Sequence, residues 1–337
     1  MHDNPRENGA ESLIVAIIRS NRAVIQSWNA RDMVLISQST GDIPEKERSS
    51  AVELAETIDT AIADMTPKPS SRTPLFMLIN QPVRNERPTG NTLYGTSSSE
   101  LGDIISTHLN RPVTILNTDD MMALAVWEKT GYQLKDNPVE QLKWARHSRV
   151  LAVGLHHGCI GIGMVNNGTL IDGLGVEQES FPWHNIQAQY APVDVNADDI
   201  ETGYYINLLD ITVNKYLKPN YAPDSIVMTI DHQELHGTLG NEGIIYHDHE
   251  HNEEWYAGYG AMMYWRKEQI GWRPMFLDEA IREDYQDNTL EYVFTNNPTD
   301  ESDEEDIINR VNAKMAENDD TLTFTNDSED ECQVRIV

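Results

Sequence analysis

The chain has 337 residues, 39% of them hydrophobic, and a formal net charge of -30 at pH 7. This length leaves room for two domains with separate cores. Because binding to a phosphate backbone depends on Lys and Arg, we expect no direct nucleic-acid binding. No apolar run of about 18 residues predicts a membrane span, and the N-terminus lacks signal-peptide features. We therefore expect a cytoplasmic protein with no membrane partner.

Both ends of the sequence differ in composition from the middle. Residues 1–12 are polar, and residues from about 296 onward are rich in Asp and Glu. Low hydrophobicity with high charge is typical of disordered segments, so we expect a disordered N-terminus (1–12) and a disordered acidic tail (296–337). The only cysteines are Cys159 and Cys332, which supports neither a disulfide framework nor a cysteine-based zinc site.

The first half of the chain reads as strands followed by alternating helices and strands. Two apolar runs around the polar break 19–22 predict a β-hairpin, and a third strand begins at Met33. Apolar residues recur at helical spacing through 49–65. A buried strand at 74–82 and a helix at 98–109 follow. The order is β-β-β-α-β-α.

A similar order begins again at Arg149. The strand 111–117 leads into a helix for which Asp119 or Asp120 is the expected N-cap. A second hairpin spans residues 149–168, and later patterns predict a helix at 201–217, a strand at 225–230 and a final helix at 260–270. Two related α/β lobes, 13–130 and 131–295, are the expected architecture.

Three stretches together resemble the ROK family of sugar kinases and sugar-responsive repressors. They are RPVTILNTDDMMALAVWE at 111–128, AVGLHHGCIGIGMVNNG at 152–168 with the TLIDGLGVEQE that follows it, and PDSIVMTI at 223–230 with the later YGAMM. The resemblance covers roughly residues 13–270. It implies an actin-like (ribonuclease H-like) fold of two lobes with a cleft between them.

The resemblance also implies roles for three acids. Aligned on Glu128, Asp120 falls on the catalytic aspartate, a general base for a sugar hydroxyl, and Asp119 replaces the family's asparagine. Glu179 falls close to a glutamate that contacts sugar hydroxyls. The alternatives are a helix N-cap for Asp120 and a solvated loop acid for Glu179.

The nucleotide-binding motifs of the family are altered in this chain. The first phosphate hairpin, Asp-x-Gly-x-Thr in the family, has lost its magnesium-holding acid. The second phosphate hairpin keeps only two glycines in register. Bulkier residues occupy the positions at which the family's backbone approaches phosphate. The adenosine loop lacks its glycine pair. The altered positions are Ala16, Ile18 and Ser20, then His157, Gly158, Cys159, Gly161 and Gly163, then Thr229 and Ile230.

These changes favour a protein that has lost phosphotransfer and acts as a non-catalytic, sugar-sensing or regulatory protein. We therefore expect no cofactor and no zinc cluster, a small sugar as ligand, and a homodimer. One alternative is a divergent ATP- and magnesium-dependent sugar kinase that uses Asp120. Another is a structural or interaction subunit with a vestigial cleft.

Two further clusters of residues, one of histidines and one of aromatic residues, have a structural as well as a functional interpretation. His247, His249 and His251 alternate with acids, a spacing that could bind zinc, nickel or copper, although an exposed polar loop is the favoured interpretation. Tryptophans and tyrosines concentrate between residues 183 and 272, where we expect them in the core or a dimer interface.

Overall fold

The computed structural model describes twelve stretches of the chain. They are residues 12–19, 21–43, 50–81, 83–88, 92–97, 100–134, 138–156, 159–171, 212–230, 253–270, 322–325 and 333–336. The chain divides into two compact units. One comprises residues 1–127 and 148–269, and the other comprises residues 128–147 and 270–337.

The first unit contains a five-stranded sheet with the order β3-β2-β1-β4-β9. Its strands are β1 (Ser12–Ile18), β2 (Arg22–Asn29), β3 (Val34–Asp42), β4 (Leu75–Ile79) and β9 (Val113–Asn117). The first three are antiparallel, and β1, β4 and β9 run parallel. The hairpin, the third strand and the buried strand predicted from the sequence are thereby confirmed.

Helices α1 (Ala51–Ala63) and α2 (Leu101–Leu109) pack on one face of this sheet. Ser50 caps α1 and forms a capping box with Glu53. The buried residues of α1 recur at helical spacing and join a cluster that includes Ile14 and Ile25 from the sheet. This amphipathic pattern is why the sequence predicted α1 correctly.

Two small hairpins lie between β4 and α2, in a segment where the sequence analysis names no element. They are β5 (Val83–Arg84) with β6 (Arg87–Pro88), and β7 (Thr92–Leu93) with β8 (Thr96–Ser97). Each turns through two residues of positive φ, Asn85 and Glu86 in the first and Tyr94 and Gly95 in the second. Such turns match the twist of paired strands.

The same unit contains a second sheet, with the order β12-β11-β10-β13. Its strands are β10 (Arg149–His156), β11 (Cys159–Asn166), β12 (Thr169–Leu170) and β13 (Ser225–Ile230). Strands β10, β11 and β12 are antiparallel and β13 is parallel to β10. If the strands of each sheet are numbered in chain order, both sheets contain the spatial order third, second, first, fourth.

Helix α6 (Glu253–Ile270) packs on the face of the first sheet opposite α1. Trp28 of β2 lies 5.7 Å from Trp255, and Phe76 of β4 lies 6.0 Å from Tyr264, measured between ring centroids. Tyr256 and Tyr259 are buried, which confirms the core interpretation for these aromatic residues. Trp183 and Trp272 lie outside the described residues.

The remaining elements are helical segments and one strand pair. Helix α3 (Thr118–Gln133) follows β9 directly, and α4 (Pro138–His147) lies in the second unit. A π-helical turn (Thr212–Leu217) leads into the short α5 (Lys218–Tyr221). Among the described residues, no helix is both long and apolar enough to cross a membrane.

The acidic tail contains β14 (Leu322–Thr325) and β15 (Gln333–Ile336), an antiparallel pair. The sequence analysis predicts no strand here. Both segments, LTFT and QVRI, carry the β-branched and aromatic residues that favour strands, a local signal that the high charge of the tail obscured.

Candidate functional site

The start of helix α3 is organised by Asn117, the last residue of β9. Its Oδ1 accepts a hydrogen bond from the backbone amide of Asp120 at 3.0 Å, and its Nδ2 donates to the Gln81 carbonyl at 2.7 Å. An acceptor that bonds the third amide of a helix is an N-cap. The prediction that Asp119 or Asp120 caps this helix is therefore wrong: Asn117 does so, because the helix begins two residues earlier.

Asp119 and Asp120 are both buried, with exposed fractions of 0% and 6%. Their side chains lie in different surroundings. The Asp119 carboxylate lies over Gly161 of β11, so close that a Cβ at Gly161 would overlap it. Asp120 instead lines a cleft. With the cap supplied by Asn117, the Asp120 carboxylate is not needed to close the helix.

The cleft has a volume of about 350 Å³, within the range usual for small-molecule pockets. Its walls combine two kinds of side chain. The polar ones are Asn85, Glu86, Asn117, Asp120, Tyr264 and Lys267. The apolar ones are Val83, Leu116, Met121 and Leu170. Hydrogen-bond donors and acceptors thus face a partly apolar cavity. This arrangement suits a polar ligand with an apolar face.

Glu86 is a cleft residue that the sequence analysis missed. It stands at the tip of the β5–β6 hairpin with a φ of 60°, and its Oε1 accepts a hydrogen bond from the Tyr264 hydroxyl at 3.2 Å. A glutamate in the left-handed region is uncommon. The Asn-Glu pair between two short polar segments was the available signal, but it is weaker than the Asn-Gly signal of such turns.

Ala16 and Ile18 occupy the first nucleotide-binding hairpin of the resemblance. Both are buried and belong to the apolar cluster between the sheet and helices α1 and α2. Magnesium requires oxygen ligands, and these two positions provide none. The side chains of Ala16 and Ile18 therefore do not fit the metal that the ROK resemblance implies for an active kinase.

The β1–β2 hairpin is instead tied to helix α6 by two ion pairs. Arg19 contacts Glu253 at 2.5 Å, and Arg22 contacts Glu254 at 2.8 Å. The Arg19 side chain is 8% exposed, whereas that of Arg22 is 52% exposed. The hairpin's two arginines thus face the first turn of α6.

The second hairpin and the segment after Met228, which the ROK resemblance assigns to nucleotide binding, consist of regular strands where the structure describes them. Gly161 and Gly163 pair with Gly154 and Ala152 within the β10–β11 ladder, and the residues after Met228 continue β13. Thr229 pairs with Gly154, and Ile230 with Leu155. The hairpin predicted at 149–168 and the strand predicted at 225–230 are therefore confirmed, and these four residues lie within them. Their role at a nucleotide site stays a prediction.

Several candidate residues lie wholly or partly outside the described residues. For Cys159 the structure gives only its place as the first residue of β11, paired with His156. The residues not described are Ser20, His157, Gly158, Glu179, His247, His249 and His251. Their expected roles stay predictions.

Comparison with known proteins identifies the fold. No protein-family model matches the sequence, and a search of curated proteins gives no match. Among solved structures, an inorganic polyphosphate/ATP-glucomannokinase from Arthrobacter sp. strain KM is similar, with 14% identity and a TM-score of 0.53. The match covers 74% of this chain and 97% of that one. The chain has the fold of ROK sugar kinases.

Two ROK proteins are similar at lower scores. A ROK family protein from Streptococcus pneumoniae in complex with sucrose has 14% identity and a TM-score of 0.43, covering 77% of this chain and 100% of that one. A ROK family transcriptional regulator has 14% identity and a TM-score of 0.40, covering 64% of each chain. These two likenesses carry no argument by themselves. The mixed α/β fold predicted from the sequence is confirmed by the strands and helices of this chain and by the match to the glucomannokinase, which shows the fold alone.

Proposed function

We propose that this ROK-like chain binds a small sugar in the cleft beside Asp120 and acts as a sugar-responsive regulatory protein without phosphotransfer. The observation that carries the proposal is the placement of Asp120. Its carboxylate is buried, lines the cleft, and is released from the capping role by Asn117. In this proposal the two sheets are the two actin-like lobes.

The chemistry of the cleft suits a polyhydroxyl ligand. Carboxylates accept two hydrogen bonds or more, and amide, phenol and ammonium groups add donors. Asp120, Glu86 and Lys267 supply three such charged groups around one cavity. Hydrogen bonds to charged groups contribute about 1.5–3 kcal/mol each, so two or three of them discriminate strongly between a sugar and an apolar molecule of equal size.

The proposed loss of phosphotransfer is supported by the first hairpin. Phosphoryl transfer depends mostly on positioning and on neutralising charge. Ala16 and Ile18 provide no metal ligand and are part of the apolar core. At the same hairpin the Arg19 guanidinium is paired with the partly buried Glu253 carboxylate, so its positive charge is already compensated and attracts a phosphate only weakly.

Calorimetric titration of the full chain with glucose, mannose and N-acetylmannosamine tests sugar binding. We expect saturable binding of one of them to the wild type, weakened at least about tenfold in Asp120→Asn by loss of a charged acceptor. Asp59→Asn, on the exposed side of α1, is the matched control and should bind as the wild type does. Equal affinity in wild type and Asp120→Asn contradicts the proposed site.

A working sugar kinase is the second candidate, and the same residue favours it. A buried carboxylate at a strand end and helix start is placed to take a proton from a ligand hydroxyl in the cleft. ATP with magnesium would then supply the phosphoryl group. In that case Asp120→Asn should abolish sugar-dependent ADP release while the fold is retained.

A further inference from the structure

Two glycines of strand β11 lie against the first turn of helix α3, Gly163 against its backbone and Gly161 against the Asp119 side chain. A Cβ built on Gly163 would overlap the carbonyl group of Asp119 and the amide nitrogen of Asp120. A Cβ on Gly161 would overlap the Asp119 carboxylate. No side chain fits at Gly163 unless the strand and the helix move apart, because the atoms it would meet are backbone.

Helix α6 approaches the same turn from another element. A Cβ on Gly260 would overlap the carbonyl oxygen of Met121, the residue that follows Asp120. The backbone at 119–121 is therefore contacted by one glycine-containing strand and one glycine-containing helix. Together with the Asn117 cap, these contacts define where the Asp120 side chain begins.

The reason for glycine here is close approach, not unusual backbone conformation. The described glycines of positive φ are Gly95 and Gly168, and Gly161 and Gly163 pair regularly in the β10–β11 ladder. A phosphate-cradling loop needs glycine chiefly for the conformations and exposed amides of a turn. In this chain both glycines lie in a strand, where close backbone approach is the other known reason for the residue.

We propose that Gly163, assisted by Gly161, is a positioning residue for Asp120. It sets the distance between β11 and the start of α3 and thereby the place of the carboxylate in the cleft. In this proposal the two glycines serve the ligand-binding cleft through the start of α3 and need no nucleotide. The expected change in sugar affinity rests on the proposed function, whereas the expected change in hydrogen exchange of the Asp120 amide does not.

Gly163→Ala tests the inference, with Gly102→Ala as the matched control. A Cβ on Gly102 would lie 3.4 Å from Ile115 Cδ1, an ordinary contact. Hydrogen exchange of the Asp120 amide, which bonds Asn117, reports the position of the turn without any ligand. We expect this amide to exchange about tenfold faster in Gly163→Ala, through local opening of the first turn, and at the wild-type rate in Gly102→Ala. An unchanged exchange rate in Gly163→Ala overturns the inference.

A double-mutant cycle with Asp120→Asn separates positioning from general destabilisation. If Gly163 acts through Asp120, Gly163→Ala lowers about tenfold the affinity for whichever of the three sugars the wild type binds, and the double variant binds it no more weakly than Asp120→Asn alone. Additive losses overturn the inference. If the wild type binds none of the tested sugars, the proposed function fails and the exchange experiment still decides the positioning role.

Gly161→Ala is the second variant if Gly163→Ala does not fold. Its added Cβ meets the Asp119 carboxylate, which can rotate away at lower cost than backbone. We expect a smaller acceleration of Asp120 amide exchange, about threefold, from a partial opening of the same turn. Wild-type exchange in this folded variant counts against the proposal.

Discussion

The backbone amide of Asp120 donates a hydrogen bond to Asn117 Oδ1 at 3.0 Å. This bond connects the last residue of β9 with a residue that lines the cleft. Asn117 caps the helix, so the N-cap alternative does not account for the buried Asp120. Its place in the cleft is the central feature of the account.

Replacement of Asn117 should measure the capping interaction. Asn117→Ala removes both side-chain bonds, to Asp120 and to the Gln81 carbonyl, whereas Asn117→Ser loses the second and keeps a good cap. We expect Asn117→Ala to unfold in urea with about 1 kcal/mol less stability than Asn117→Ser. Equal stability of the two variants would show that Asn117 does not act as the cap.

Tyr264 links helix α6 to the β5–β6 hairpin through Glu86. Tyr264→Phe removes this hydrogen bond and retains the ring contact with Phe76, so we expect a loss of at most about 1 kcal/mol in the free energy of unfolding. Tyr264→Ala also removes the ring and should cost about 2 kcal/mol more. A Phe variant as unstable as the Ala variant would mean that the hydrogen bond dominates.

The two ion pairs between the first hairpin and α6 should differ in their contribution to stability. Glu253→Ala removes a carboxylate from the buried Arg19 guanidinium, and we expect a loss of about 3 kcal/mol. Glu254→Ala removes the partner of the half-exposed Arg22 and should cost less than about 1 kcal/mol. Urea unfolding of both variants makes the comparison, and similar losses would contradict the difference in burial.

Tyr94 provides a prediction about alkaline pH. Burial raises the pKa of Tyr94 from its ordinary value of 10.0 to about 12. Because the folded state then favours the neutral phenol, its contribution to stability is complete below pH 10 and declines as the pH rises from 10 towards 12. Tyr94→Phe should therefore lose less stability over that window than the wild type. Ultraviolet absorbance of phenolate gives the pKa directly, and ionisation near pH 10 would contradict the buried position.

The first sheet could be predicted from sequence because its signals are local. Apolar runs, a polar break and helical spacing identified β1, β2 and α1 without knowledge of their partners. The hairpin at Glu86 could not be predicted in this way, since its strands are two residues long and its turn lacks glycine. Short elements carry too few residues for a periodic pattern.

The candidate site was predicted in part. The ROK resemblance identified Asp120 as a candidate, and in the structure Asp120 lines a cleft. The close approach of Gly163 depends on contacts between distant segments, which spacing along one chain does not encode. The Asn117 cap is local, three residues before Asp120, so its signal was present in the sequence and was missed. The sugar, the homodimer, the cytoplasmic location and the domain boundaries stay predictions.

The most direct test of the account is sugar-dependent ADP release by the full chain with magnesium and ATP, measured with whichever hexose binds in the calorimeter. We predict that the wild type binds the sugar and releases no ADP above the rate seen with Asp120→Asn. Sugar-dependent ADP release by the wild type that is lost in Asp120→Asn would contradict the central claim and establish the chain as a sugar kinase.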